Sequence, residues 1–141
     1  MTYITSRGFQ LPTRVEEFRD AYYFNMWLKR LWPYKELDTG DELLWYETPT
    51  RRLVWRSRVV AVERFTYSSK LDARDKLVSC FGALDEHQPY FRDAPTRGYC
   101  VAYKVEPLER LAIPKPVALR FPMSGWCRDA QTVAEWLAGN G

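Results

Sequence analysis

The stretch Leu37-Asp38-Thr39-Gly40-Asp41-Glu42-Leu43-Leu44-Trp45-Tyr46-Glu47-Thr48-Pro49-Thr50-Arg51-Arg52-Leu53-Val54-Trp55-Arg56-Ser57-Arg58-Val59-Val60-Ala61-Val62 decides how this chain reads. Two runs rich in β-branched and aromatic residues flank the polar tetrapeptide Thr48 to Arg51, a pattern that predicts a β-hairpin. The first strand is entered through Thr39-Gly40-Asp41, where glycine permits a positive φ and aspartate can bond its own backbone. In the second strand, alternation with period two places Arg52, Arg56 and Arg58 on one face, opposite Leu53 and Trp55. The unbroken run Val59 to Val62 then requires either burial on both faces or a bulge near Ser57, and a bulge would bend the strand as closing a small barrel demands. Those arginines make either a solvated outer face or a stripe that meets phosphates.

Upstream, Tyr3 to Leu11 is a short β-prone start, ended by Pro12. Thr13-Arg14-Val15-Glu16 has the form of a capping box, and Val15, Phe18, Tyr22 and Met26 recur at spacings of three and four. These signals predict an amphipathic helix from about Arg14 to Leu31. Its second half, Tyr22 to Leu28, is apolar around nearly its whole circumference, so it packs on two partners or points Trp27 or Trp32, with Asn25, into a recognition pocket.

Downstream, Ser69 can cap a second helix that runs to a stop at Gly82, with Asp72 in its first turn and Leu71, Arg74, Leu77, Val78 and Phe81 setting its periodicity. Asp85 to Gly98 reads as a loop that holds the only histidine, His87. Tyr99 to Val105 alternates as a third strand that Pro107 ends, and Leu108 to Pro116 has no clear pattern. Val117 to Phe121 is expected to form a short last strand, followed by a turn and a helix capped by Asp129. Val133, Trp136 and Leu137 make that helix's buried stripe, and Gly139 its stop.

The chain has 141 residues, which fits one domain spanning 1–141, and Met1 together with a capped C-terminal helix suits a free-standing one. Aromatic residues make up 16% of it, including six Trp and nine Tyr, so some rings must line a surface or pocket. A net charge of +3 permits a phosphate-bearing partner without demanding one. Cys80, Cys100 and Cys127 are widely spaced and lack a CxxC, which predicts reduced, mostly buried thiols, a cytoplasmic protein and no zinc site. With no apolar leader and no long apolar run, neither secretion nor membrane spanning is expected.

No GxSxG, HExxH, P-loop or GxGxxG motif is present. A general base can be drawn at His87 among Asp85, Glu86 and Asp93, but no nucleophile belongs to it: Cys80 lies on a predicted helix and Cys100 in a predicted strand. No catalytic residue, metal ligand or cofactor is therefore assigned.

The order of an aromatic-rich helix with Asn25 and Trp27, a Gly40-Asp41 turn into an apolar strand, a turn, a long strand with Val59-Val60-Ala61-Val62, a helical insertion and a late strand resembles the PUA-like superfamily, with EVE, YTH and ASCH domains nearest in size. The resemblance spans roughly residues 24–105. It implies an α+β fold: a small, bent, partly open mixed or antiparallel β-barrel with about three flanking helices. It also implies non-catalytic binding of DNA or RNA, often with one modified base held in an aromatic pocket. On that picture the base stacks on rings drawn from Trp27, Trp32, Trp45, Trp55, Tyr90 and Trp126, Asn25 reads its edge, and Arg30, Arg52, Arg56, Arg97 and Arg128 hold the backbone. A protein-interaction or small-ligand module on the same barrel, and an enzyme using the His87 loop, are the alternative readings.

Overall fold

In a computed structural model, residues 1–116, 125–127 and 130–138 are described. Along the chain come β1 (Thr2–Arg7), α1 (Val15–Asp20), β2 (Tyr23–Trp27), β3 (Glu42–Glu47), β4 (Arg52–Tyr67), α2 (Lys70–Phe81), α3 (Pro89–Arg92), β5 (Gly98–Pro114), β6 (Trp126–Cys127) and α4 (Ala130–Ala138). The six strands form one mixed sheet in the order β2-β5-β4-β3-β1-β6, with β1 parallel to β3 and the other neighbours antiparallel.

The sheet curls into a half-barrel whose two edges approach each other. Tyr23 of edge strand β2 and Trp126 of edge strand β6 share the central apolar cluster with Phe18, Trp45, Trp55 and Tyr103. A second cluster, Phe24, Met26, Leu77 and Cys100 among it, lies under α2 and α3. A third unites Leu44, Leu53 and Ile113 with Val133 and Trp136 of α4.

The hairpin forms as its turn chemistry dictates. Arg51 takes φ 57°, Gly40 takes φ 93°, and Asp41 Oδ2 accepts from the Asp38 amide at 2.9 Å. The β4–β5 ladder slips between Leu53 and Trp55, between Arg56 and Ser57 and between Val59 and Ala61, so the long strand is bulged and bent. The first slip also splits the expected faces: Leu53 joins the cluster beside α4 and Trp55 the central one.

The expected helix from Arg14 to Leu31 is a correction. Helix α1 ends at Asp20, and Tyr23–Trp27 is a strand. Thr13 makes no cap; Arg14 stands at the N-cap position without a side-chain bond. The all-round apolarity belongs to a strand buried on both faces, with Tyr23 turned to the central cluster and Phe24 and Met26 to the one under α2.

Helix α2 starts as expected, the Ser69 hydroxyl accepting from the Asp72 amide at 3.0 Å, and Gly82 ends it. Its buried face is Ala73 and Leu77, whereas Leu71 and Val78 are exposed. The loop after it contains the single turn α3. Strand β5 runs through Pro107 to Pro114 because the proline sits at the ladder slip opposite Ser57, where a missing N–H is tolerated.

In α4, Val133 and Trp136 are buried and Leu137 is not. The expected strand over 117–121, the Asp129 cap and the Gly139 stop lie outside the described residues. Of the thiols, Cys100 is buried, Cys127 intermediate and Cys80 exposed. No helix among the described residues is long and apolar enough to cross a membrane.

Candidate functional site

Where the two sheet edges approach each other, a polar network of side chains lies between β2 and β6. Alternation along β1 turns Tyr3, Thr5 and Arg7 inward, and Arg7 is 1% exposed. Its guanidinium lies between the rings of Trp45 and Tyr90, 5.0 and 5.1 Å from their centroids. Nη1 donates to Thr5 Oγ1 at 2.8 Å and to the Ser6 carbonyl at 2.9 Å, and Nη2 donates to the Tyr103 hydroxyl. Tyr103 in turn donates to Asn25 Oδ1 at 3.3 Å, and Trp126 Nε1 reaches the same oxygen at 3.2 Å. Among the described residues no carboxylate pairs with Arg7; ring faces and neutral oxygens hold its charge. Burial pushes the Tyr103 hydroxyl up, with the Arg7 charge pulling the other way, so the phenol stays protonated and donates to Asn25.

Above this floor the seam opens into a hollow of about 640 Å³. Ser6, Asn25 and Trp27 line it from the strands, Tyr90 and Pro95 from α3 and the segment after it, and Gly125 from the approach to β6. Tyr90 is fixed by a hydrogen bond from its hydroxyl to the Ser6 carbonyl at 3.2 Å and by an edge contact with Phe9. Trp27 is held through its backbone: a Cβ on Gly98 would meet the Trp27 carbonyl oxygen at 2.0 Å, so glycine is required where β5 passes β2. Asp93 also lines the hollow, its carboxyl drawn below the usual range by hydrogen bonds from Arg92.

A second hollow of about 630 Å³ shares Tyr46, Thr48 and Lys115 with the first and adds Arg51 and Arg52. The Lys115 amide donates to the Arg51 carbonyl at 3.1 Å, tying the end of β5 to the hairpin turn and setting three cations beside the aromatic hollow.

The structure thus brings Asn25, Trp27 and Tyr90 together and places Arg52 in the adjoining hollow. Trp126, 2% exposed, is the prop beneath Asn25. Trp32 stands behind it, edge-on to Tyr3 and Trp126 at 5.0 and 6.3 Å, and lines neither hollow.

Trp45 and Trp55 correct the sequence reading: both are core residues, 0% and 1% exposed, with their indole N–H groups bound to Ser57 Oγ and the Pro12 carbonyl. Arg56 is bound too, to Glu42 at 2.7 Å and Glu109 at 3.5 Å on the β4 ladder. Arg30 and Arg97 are exposed and line neither hollow. Arg128 lies outside the described residues.

His87 is exposed, its backbone amide bonded to Asp85 Oδ1 at 2.9 Å. Burial pushes the Cys100 thiol up, away from a reactive thiolate. Among the described residues no group of three or more His, Cys, Asp or Glu could hold a metal ion.

Arg7, Tyr103, Arg51, Thr48 and Lys115 escaped the sequence reading. Strict alternation from Tyr3 would have turned Arg7 inward, but no local pattern distinguishes Lys115.

The curled mixed sheet with helices packed on it is an α+β half-barrel fold. That fold is shared with solved ASCH structures. The crystal structure of the ASCH protein from Zymomonas mobilis matches with a TM-score of 0.58 at 11% identity, covering 99% of this chain and 96% of that one. A Tyr-to-Phe variant of the same protein matches with a TM-score of 0.59 at 9% identity over 99% of both chains. A Ser-to-Ala variant gives 0.58 at 13% identity. No protein-family model matches the chain, and no curated protein matches it at a significant level.

Proposed function

We propose that this chain is a non-catalytic nucleic-acid-binding module that takes one unstacked base of a single-stranded RNA segment into the seam hollow. The observation that carries this reading is the convergence of Asn25, Trp27 and Tyr90 on one hollow that opens into another bearing Arg51, Arg52 and Lys115. A base entering between the rings gains stacking of about 1–3 kcal/mol, which offsets the few kcal/mol needed to unstack it. The adjoining cations then meet the neighbouring phosphates. Likeness to PUA-like domains supports RNA as the partner. The finer form of the reading is a base that carries a modification, since the hollow leaves room beside a plain base.

The test is fluorescence anisotropy of a labelled single-stranded RNA at two salt concentrations between about 50 and 200 mM. Saturable binding that weakens as salt rises supports the module, because the contacted phosphates release counterions. Absence of binding at high micromolar protein contradicts it. A small-ligand module on the same barrel is the second reading, favoured by a hollow of about 640 Å³, inside the roughly 300–1,000 Å³ range of small-molecule sites.

A further inference from the structure

Asn25 is only 6% exposed, yet its side chain is bonded on one end alone. Its oxygen receives the indole N–H of Trp126 at 3.2 Å and the Tyr103 hydroxyl at 3.3 Å, with Arg7 Nη2 at 3.5 Å. Indole and guanidinium nitrogens donate and never accept, so the amide cannot be turned over without setting donors against donors. The Nδ2 amino group therefore faces away from the floor. No acceptor among the described residues meets it, and it is not sealed from solvent; it opens on the hollow that Asn25 lines.

Several acceptors around that hollow already receive a donor. The Ser6 carbonyl receives both Arg7 Nη1 at 2.9 Å and the Tyr90 hydroxyl at 3.2 Å. The Gly125 carbonyl receives the Ser6 amide at 2.7 Å, and the Pro95 carbonyl the Tyr67 hydroxyl at 2.9 Å. The Asp93 carboxylate is held by Arg92 at 3.0 and 3.2 Å. On the floor itself the group left unbonded toward a ligand is the Asn25 Nδ2 donor.

We infer that the hollow selects a base by an exocyclic keto oxygen, O4 of a uracil-type or O6 of a guanine-type base, over the amino group that cytosine or adenine carries there. This rests on the nucleic-acid reading above. A keto oxygen accepts from Asn25 Nδ2, whereas an amino group would face it N–H to N–H and leave both unpaired.

The test compares single-stranded uridine and cytidine RNA hexamers on the wild-type protein and on Asn25→Asp. This substitution keeps an oxygen beneath Trp126 and Tyr103, sets a carboxylate beside Arg7 and replaces the outward donor with an acceptor. The expected results are a roughly tenfold preference for uridine in the wild type and a reversed preference in the variant. A uridine-like hexamer built from pyrimidin-2-one, which lacks the 4-keto oxygen, should bind the wild type roughly tenfold more weakly; this arm decides the matter if the variant fails to fold. Equal wild-type binding of uridine, cytidine and pyrimidin-2-one strands overturns the selection while leaving the module reading intact. Failure of every strand to bind overturns both.

Discussion

Trp45 and Trp55 on the closed wall of the curled sheet, and Trp27 and Tyr90 at its open seam, are drawn from the same residue classes and sit in similar strand-like or aromatic sequence, yet they end in different environments. On the wall, each indole N–H finds a partner from a neighbouring segment, and Phe18 packs against the Trp45 and Trp55 rings at 5.2 and 4.9 Å. At the seam no backbone pairing joins β2 to β6 among the described residues. Arg7, Tyr103, Asn25 and Trp126 bridge the gap by side-chain hydrogen bonds, and the rings of Trp27 and Tyr90 are left lining a space. An aromatic residue becomes available to a ligand where backbone pairing stops, whatever its own neighbours in sequence.

The largest expected effect tests the wall. Trp45→Ala should lower stability by about 3–5 kcal/mol in urea unfolding, because it empties a large core volume and strands the Ser57 hydroxyl. A loss under about 1 kcal/mol would place Trp45 outside the core.

Next comes the bridge across the seam. Arg7→Met should cost about 2–4 kcal/mol, since it takes the guanidinium donor from the buried Tyr103 and Thr5 hydroxyls and leaves the Ser6 carbonyl with the Tyr90 hydroxyl alone. It should also weaken ligand binding, because the guanidinium that faces the Tyr90 ring beside the hollow is lost. Unfolding and binding that both match the wild type would show that the bridge is dispensable.

These two regions were not equally legible in the sequence. The hairpin, its turn and the bulge near Ser57 could be read because glycine and polar turn residues mark them locally and the apolar run breaks alternation. The segment Tyr22 to Trp27 was misread as a helix because a strand buried on both faces leaves the same all-round apolar signature as a buried helix, and only tertiary pairing to β5 decides between them. Asn25 and Trp27 were legible as candidates, but Lys115 was not, since nothing near Pro114 or Pro116 hints that the hairpin turn folds against it. Arg56 drew attention as one of a cluster of arginines, and the two carboxylates that hold it come from strands too far off in sequence to be paired with it by spacing.

Alkaline titration should loosen the seam. Tyr67 donates its hydroxyl to the Pro95 carbonyl beside the hollow, and burial pushes its ionisation up to about 12 from the ordinary 10.0. The folded state therefore holds this proton more tightly than the unfolded chain does. Stability is undiminished by this group below pH 10 and falls as pH rises toward 12, by at most about 1.4 kcal/mol per pH unit. Tyr67→Phe should flatten the part of the unfolding profile that this residue produces, and an unchanged slope would refute the assignment.

Trp27→Ala should separate binding from folding. A half-buried edge-strand ring should cost stability only modestly, about 1 kcal/mol, but its loss should weaken single-strand binding by about 1–3 kcal/mol. The opposite pattern, a large loss of stability with unchanged affinity, would make Trp27 a packing residue like Trp45.

The smallest effect concerns the adjoining cations. Replacing Arg51, Arg52 and Lys115 one at a time with Gln should each reduce the slope of log affinity against log salt by about 0.7 for a contacted phosphate of a single strand. Arg56→Gln, on the ladder and already paired with Glu42, should leave that slope where it was.

The most direct measurement asks where a bound base lies. A single-stranded RNA carrying one 4-thiouridine is irradiated on the protein, and the crosslinked peptides are identified by mass spectrometry. Adducts localised by fragmentation to Trp27 or Tyr90 themselves, competed away by unlabelled strand, are the predicted result. Adducts localised to α2 or to residues 83–88, with Trp27 and Tyr90 unmodified, would contradict the assignment of the seam as the ligand site.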